Sequence, residues 1–193
     1  KKVVHITSAH PRHDTRIGKK MCPSLAKQEY NVYLVVADGK GDEVDNGVKI
    51  VDVGKAKGRF ARMLYSAKKT YLKALALDAD IYHLHDPELL PYGLKLKNKG
   101  KKVVFDSHED YPKQFLSKPY LNKPLLKLVA KTFAGFENYV CKRLSAVVGA
   151  TPFITNKFLQ LNKNSVNVNN YPILGELEAN TDAVLPEAIK SKV

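Results

Sequence analysis

Short apolar runs alternate with longer amphipathic segments along most of the chain. The runs are rich in valine and isoleucine and mostly uninterrupted, which is typical of strands buried on both faces. They predict six strands, at residues 3–7, 32–37, 48–53, 81–84, 103–106 and 146–149. A seventh strand is expected within residues 166–170.

The segments between these runs have the apolar spacing of helices. They predict five helices, at residues 16–29, 59–77, 87–98, 122–144 and 152–161. Asp14 or Thr15 is placed to cap the first helix, and Thr151 is placed to cap the last. In the second helix, the residues expected to face inward are Phe60, Met63, Leu64, Tyr71, Ala74 and Leu75.

The alternation of strands and helices indicates the fold class. Parallel strands with helices on both faces of the sheet follow from it, and right-handed crossovers limit how the chain is wound. We expect an α/β fold, a doubly wound Rossmann-like three-layer sandwich with a mainly parallel sheet of about seven strands. Residues 1–175 are predicted to form this domain, and 176–193 a linker or a truncated edge.

Length and cysteine content narrow the class of protein. The chain has 193 residues, 44% of them hydrophobic, which suits one domain with a core of its own. Its two cysteines, Cys22 and Cys141, exclude a disulfide framework and fit a reducing compartment. We expect a cytoplasmic protein, with peripheral attachment to the inner face of the membrane as a further expectation.

The formal net charge of +13 indicates an anionic neighbour. Nucleic acid is one candidate, but the basic residues are scattered and no recognition motif is present, so no specific nucleic-acid partner is expected. A second candidate is an anionic membrane surface, beneath the lysine-bearing amphipathic segment 122–144. The alternative for this segment is a core-packing helix with a solvated lysine face.

Polar residues collect after the first predicted strand. In a doubly wound sheet, ligands bind beyond the carboxyl ends of the strands. His10, Arg12, Asp14 and Arg16 lie in such a loop, which contains no glycine, so a dinucleotide-binding site of the dehydrogenase type is disfavoured. The loop suits an anionic or hydroxyl-rich ligand near a helix N-terminus. The alternative is helix capping by Asp14 with solvated arginines.

Two further polar clusters follow the fourth and fifth predicted strands, and they are expected at the same edge of the sheet. A histidine there can act as a general base or bind a sugar hydroxyl. The alternative is a buried imidazole bonded to the backbone. Asp86 is also placed to cap the helix that begins at Pro87. The candidate residues in these clusters are His85, Asp86, Glu88, His108, Glu109 and Asp110.

A metal site is a further alternative for the same clusters, because imidazole and carboxylate groups are metal ligands. No HExxH motif is present, so no metal site is expected. The residues concerned, whose spacing is not diagnostic, are His83, His85, Asp86, His108, Glu109 and Asp110. A serine hydrolase is also disfavoured, because the sequence has no GxSxG motif.

Several motifs occur in one order at the predicted strand ends. They are HPRHDTR at residues 10–16, SLAK at 24–27, DIYHLHDPELLP at 80–91, DSHEDYP at 106–112, ATP at 150–152 and NNYP at 169–172. With these motifs the chain resembles the N-terminal domain of a GT-B fold glycosyltransferase of family 4, the retaining group. The resemblance extends from Val3 to about Leu177.

The resemblance implies an enzyme of two Rossmann-like domains, the first binding the acceptor and the second the nucleotide-sugar. His108 matches a family histidine that lies close to the donor sugar, so His108 and Asp14 are the candidate catalytic residues. The substrate-binding candidates are His10, Arg12, Arg16, His85, Asp86, Glu88, Glu109, Asp110 and Thr151. Many relatives carry glycines in the first loop; here Arg12 and Arg16 are expected to make the phosphate contact instead.

The sequence lacks the basic pair and the two glutamates that the family carries in its C-terminal domain. The resemblance therefore implies the acceptor-side half of a glycosyltransferase, inactive alone, that acts on a polysaccharide or glycolipid acceptor. No cofactor is expected besides the nucleotide-sugar, which is bound mainly by the absent domain. The competing hypothesis is a stand-alone flavodoxin-like module that binds an anionic or phosphorylated small molecule.

Overall fold

The computed structural model describes residues 1–58, 61–116 and 123–172. These residues contain one sheet of eight strands in the order β3-β4-β2-β1-β5-β6-β7-β8. The strands are β1 (Lys2–Ile6), β2 (Asn31–Val36), β3 (Glu43–Asp45), β4 (Val48–Asp52), β5 (Ile81–Leu84), β6 (Lys102–Ser107), β7 (Ala146–Gly149) and β8 (Ser165–Asn167). All neighbours pair in parallel except β3 and β4, so the mainly parallel α/β sheet is confirmed.

Six α-helices connect the strands within the described ranges. They are α1 (Cys22–Lys27), α2 (Ala67–Ala76), α3 (Leu90–Asn98), α4 (Tyr111–Leu116), α5 (Lys123–Cys141) and α6 (Pro152–Leu159). The π-helical turns Ile17–Met21 and Arg62–Ser66 lead into α1 and α2, and the 3₁₀ turn Pro87–Leu89 leads into α3. None of the described helices is long and apolar enough to cross a membrane.

The two faces of the sheet bury separate apolar clusters. Val4 and Ile6 of β1 belong to the larger cluster, together with residues of α2, α3, α5 and α6. On the opposite face, Leu34 and Ile50 pack with Cys22 of α1 in the smaller cluster. Because side chains alternate between the faces of a strand, His5 projects to the face of the smaller cluster. Helices thus cover both faces, as a three-layer sandwich requires.

Some local predictions were wrong. Met63 and Leu64 were expected to face inward, but they are 43% and 62% exposed. They lie in a π-helical turn, whose i→i+5 bonding changes the 3.6-residue spacing that the prediction assumed. Strand β3 lies in a stretch without apolar alternation, and α4 was also missed. The predicted linker 176–193 and Phe60 lie outside the described residues.

Candidate functional site

The polar loops after β1, β5 and β6 meet at the carboxyl edge of the sheet. From β1 the strand order runs outward in both directions, to β2 and β4 on one side and to β5 and β6 on the other. Such a switch point leaves a crevice between diverging loops, where ligands bind in open α/β sheets. The structure therefore brings together the three segments that carry most of the candidate residues.

Asp86 organises the loop after β1. Its carboxylate accepts hydrogen bonds from the Thr7 hydroxyl (2.8 Å) and from the backbone N–H groups of Ser8 (2.6 Å) and Ala9 (3.2 Å). Asp86 occupies the N-cap position of the turn at Pro87, but its side chain makes no capping bond there. The capping prediction for its side chain was wrong, because the backbone donors of the β1 loop engage the buried carboxylate.

His10 joins two carboxylates at the crevice. Its Nδ1 lies 3.2 Å from Oδ2 of Asp14, and its Nε2 lies 3.4 Å from Oδ1 of Asp86. The other Asp14 oxygen accepts the backbone N–H groups of Arg16 (2.9 Å) and Ile17 (3.0 Å), so Asp14 also caps the first helical turn. Capping and a place in the site, which the sequence presented as alternatives, coexist in one carboxylate.

These contacts shift the titration of both groups. The hydrogen bond with Asp14 raises the pKa of His10 above its usual 6.5; partial burial opposes this shift, and the charge of Asp86 adds to it. Burial alone would raise the pKa of Asp14, but the bonds from His10 and the backbone outweigh burial and hold that pKa below 3.8. The pair therefore favours an imidazolium beside a carboxylate.

Replacing Asp14 with asparagine is expected to lower the pKa of His10, because the main cause of its elevation is removed. In the parent protein, the stability contributed by His10 is complete below pH 6.5 and is lost as the pH rises through the elevated folded-state pKa. Asp14→Asn should flatten this pH dependence while its amide oxygen still accepts the backbone bonds. NMR titration of the His10 ring measures the shift, and an unchanged pKa would contradict this account.

Asp106, at the end of β6, holds the deepest part of the site together. It is fully buried and accepts two hydrogen bonds from Arg16, from Nε (2.8 Å) and Nη2 (2.7 Å). The same carboxylate lies 3.0 Å from Nε2 of His108 and 3.3 Å from Nδ1 of His85. Burial opposes its ionisation, but Arg16 and the two histidines hold the pKa of Asp106 well below its usual value.

Arg12 fastens the β1 loop to the loop after β2. Its guanidinium is 2% exposed and bonds Asp38 through Nε (2.8 Å) and Nη2 (2.7 Å), with Glu43 3.2 Å away. The backbone of this loop is also packed tightly, since a Cβ added at Gly18 would lie 1.9 Å from the Arg12 carbonyl oxygen. Both arginines were predicted to bind a ligand; in the structure both bind carboxylates of the protein and position the loop.

The three remaining acidic candidates, Glu88, Glu109 and Asp110, contact different parts of the protein. Glu88 accepts a hydrogen bond from the Ser8 hydroxyl (3.1 Å), and Glu109 is exposed and bonded to Gln114. Asp110 instead shares Lys157 (3.3 Å) with the buried Glu137 of α5.

Thr151 caps α6, as predicted, by accepting the N–H of Ile154 (3.3 Å). Asp38 and Asp106 were not among the predicted site residues. Asp38 follows an apolar strand, and that position is its sequence signal; Asp106 ends an apolar strand and is also the first residue of the motif at 106–112.

The solvent-accessible groups of the crevice are imidazoles and carboxylates. The rings of His10 and His108 have centroids 5.1 Å apart, and their side chains are 29% and 16% exposed. Asp14 is 20% exposed beside them. Imidazoles can donate hydrogen bonds to hydroxyls and accept hydrogen bonds from them, and ionised carboxylates accept hydrogen bonds from hydroxyls. An imidazole held by a carboxylate can also act as a base. The crevice is therefore equipped to bind and orient a polyhydroxylated ligand.

An open parallel sheet with such a crevice at its switch point defines a Rossmann-type ligand-binding domain. The family model described as Glycosyltransferase Family 4 matches residues 19–168, and the chain belongs to this family. Comparison with curated protein sequences gave no significant match.

Solved structures of similar fold include sucrose-phosphate synthase from Thermosynechococcus elongatus. It has a TM-score of 0.65 at 12% identity over 96% of this chain and 53% of its own. A second is the E. coli trehalose-6-phosphate protein bound with UDP-2-fluoro glucose, with a TM-score of 0.62 at 11% identity over 99% and 53% of the two chains. The chain thus spans about half the length of these relatives, which share its GT-B type of fold.

Proposed function

We propose that the chain is the acceptor-binding domain of a glycosyltransferase that moves a sugar from a nucleotide-sugar to a polysaccharide or lipid-linked acceptor. The proposal includes that the chain alone transfers no sugar. Family membership supports the reaction class. The nucleotide-sugar co-substrate is supported by a structural relative bound with UDP-2-fluoro glucose, and by another, a UGT transferase from Siraitia grosvenorii, in complex with UDP.

The convergence of His10, Asp14 and His108 at the crevice carries the acceptor-binding part of the proposal. His10 contacts the carboxylates of Asp14 and Asp86, and His108 contacts the carboxylate of Asp106. These contacts fix both rings, and each ring remains partly exposed to solvent. Fixed hydrogen-bonding groups orient a hydroxyl without ordering themselves at the moment of reaction. In the proposed enzyme, His10 and Asp14 hold the acceptor, and His108 contacts the reacting sugar.

The pairing of the two arginines weighs against the competing module for anionic ligands. Arg12 is 2% exposed and Arg16 is 5% exposed, and each is bonded to carboxylates on two guanidinium nitrogens. A phosphate at the crevice would meet the carboxylates of Asp14 and Glu88, and the charge of the His10 imidazolium there is already paired with Asp14 and Asp86. Sugar hydroxyls, which accept and donate hydrogen bonds, fit this lining better.

Helix α5 supports a lipid-linked acceptor near an anionic membrane. It buries Leu126 and Ala130 in the core but leaves Leu125 and Leu128 46% and 62% exposed. Exposed lysines at 123, 127 and 131 lie on the same helix. The helix therefore packs against the core and also presents a basic, partly apolar surface, as peripheral membrane proteins do.

Acceptor binding is tested by kinetics of the enzyme that carries this chain together with its donor domain. His10→Ala should raise the KM for the acceptor at least about tenfold, by removing hydrogen bonds of about 1.5 kcal/mol or more, and leave the KM for the donor unchanged. His13→Ala is the matched control, because His13 belongs to the same loop and is 51% exposed. A rise confined to the donor KM, or transfer by residues 1–193 alone, would overturn the proposal.

A further inference from the structure

Three histidines pack against one another beneath the crevice. His5 of β1 and His83 of β5 are paired across the sheet, and His85 follows β5 on the same face. The ring centroids lie 4.7 Å apart for His5 and His83, 5.1 Å for His5 and His85, and 4.6 Å for His83 and His85. Each ring places one nitrogen within 4.8 Å of a nitrogen of both other rings.

The rings of this cluster are short of hydrogen-bond partners. Nδ1 of His5 lies 2.9 Å from Nε2 of His85, but three other buried nitrogens, Nε2 of His5, Nε2 of His83 and Nδ1 of His85, have no hydrogen-bond partner. A buried nitrogen left unsatisfied costs about 1 to 3 kcal/mol, so this arrangement is unfavourable without a further function.

Asp106 lies beside His85, where metal-binding histidines usually have an outer carboxylate. Its Oδ2 lies 3.3 Å from Nδ1 of His85, on the opposite side of the ring from the nitrogen that faces His5. A histidine ligand commonly donates its second N–H to a carboxylate, which fixes the ring and directs the other nitrogen toward the metal. Nδ1 of His85 makes no hydrogen bond in this structure, and a small rotation of its ring toward the Asp106 carboxylate would complete this arrangement.

We propose that His5, His83 and His85 form a binding site for one divalent transition-metal ion of the Zn²⁺ type. Imidazole nitrogens are preferred ligands of such ions, and three of them leave a fourth position open. Zn–N bonds of about 2.0 to 2.1 Å set nitrogens roughly 3.3 Å apart, so the rings close by about 1.5 Å at most. The ion ties β1 to β5 under the crevice.

The ion can reach this site from the side of His83. That residue is half-buried, and the residues beside it on the same face, Val104 and Ala146, are also half-buried. A second trio, His85, Asp106 and His108, brings potential ligand atoms equally close. Both oxygens of Asp106 are bonded to the Arg16 guanidinium, whose positive charge repels a cation, so the trio with His5 is favoured.

The test uses the untagged chain with Co²⁺ and Zn²⁺ as probes. One Co²⁺ per chain should bind with the visible absorption of a tetrahedral nitrogen-ligated site, and Zn²⁺ should displace it and raise the Tm. His83→Gln should weaken Zn²⁺ affinity at least about tenfold, by analogy with the 10- to 100-fold cost of losing even an outer partner. His13→Gln, at an exposed histidine, and His108→Gln should bind like the parent protein.

Three results would overturn the proposal. They are the absence of stoichiometric Co²⁺ binding by the parent chain, unchanged affinity in His83→Gln, and loss of affinity in His13→Gln or His108→Gln. Circular dichroism of His83→Gln verifies its fold. A misfolded His83→Gln would be replaced by His83→Asn, to which the same criteria apply.

Discussion

His108→Ala, introduced into the enzyme with its donor domain, is expected to reduce kcat by about 10²- to 10⁴-fold, the usual contribution of a positioned acid or base. The Tm should fall by no more than a few degrees. His108 is partly exposed and makes one side-chain bond, to Asp106, which keeps its two bonds to Arg16 in the variant. We therefore expect His108→Ala to reduce the rate of the reaction and to leave the stability of the fold almost unchanged.

The measurement pairs initial rates at saturating substrate with thermal unfolding of the same preparation. His13→Ala again provides an exposed histidine replacement, and it should keep both parental values. A large drop in Tm with normal activity per folded molecule would make His108 a structural residue. A KM change without a kcat change would limit it to ground-state binding.

Asp106→Ala is expected to destabilise the domain by about 3 to 5 kcal/mol, because it leaves the buried Arg16 guanidinium without its anionic partner. For a domain of this size that free energy lowers the Tm by roughly 10 °C. Asp106→Asn, which keeps the shape and one acceptor, should fall between the parent and the alanine variant. Thermal and urea unfolding of the isolated chain provide both values.

The comparison variant for this experiment is Asp78→Ala. Asp78 also pairs with a cation, Lys101, but its side chain is 79% exposed, so water and salt replace the interaction at almost no cost. Its Tm should fall by no more than a few degrees, because alanine is less favourable than aspartate at the positive φ of 45° that Asp78 adopts. Equal, small effects of Asp106→Ala and Asp78→Ala would show that burial of the Arg16 pair does not matter for stability.

The strands could be predicted because burial on both faces leaves a direct signal in the sequence. The predicted bounds of β5 and β7 match the structure at both ends. Each is a short, mostly apolar run that begins directly after a polar residue, Asp80 for β5 and Ser145 for β7. Strand β3 has two exposed residues and one half-buried residue, so its formation depends on pairing with β4. No periodicity within 39–47 reports that pairing.

The place of the site was predictable, but the roles of its charged residues were not. Strand ends give the positions of His10, Asp86 and His108, because parallel strands put their carboxyl ends at one edge. Whether an arginine there is free depends on partners far away in sequence. Arg16 and Asp106 are 90 positions apart, and Arg12 and Asp38 are 26 apart. Only the folded sheet brings these charges into contact.

Arg16 makes one more bond, from Nη1 to the backbone carbonyl of Val168 (2.7 Å), just beyond the last strand. The same guanidinium donates hydrogen bonds to Asp106, and Asp106 is also hydrogen-bonded to His108. A displacement of the backbone at Val168 is therefore expected to move the His108 imidazole through the side chains of Arg16 and Asp106. Any hinge motion that displaces the segment after β8 would change the position of His108 without a substitution in the crevice.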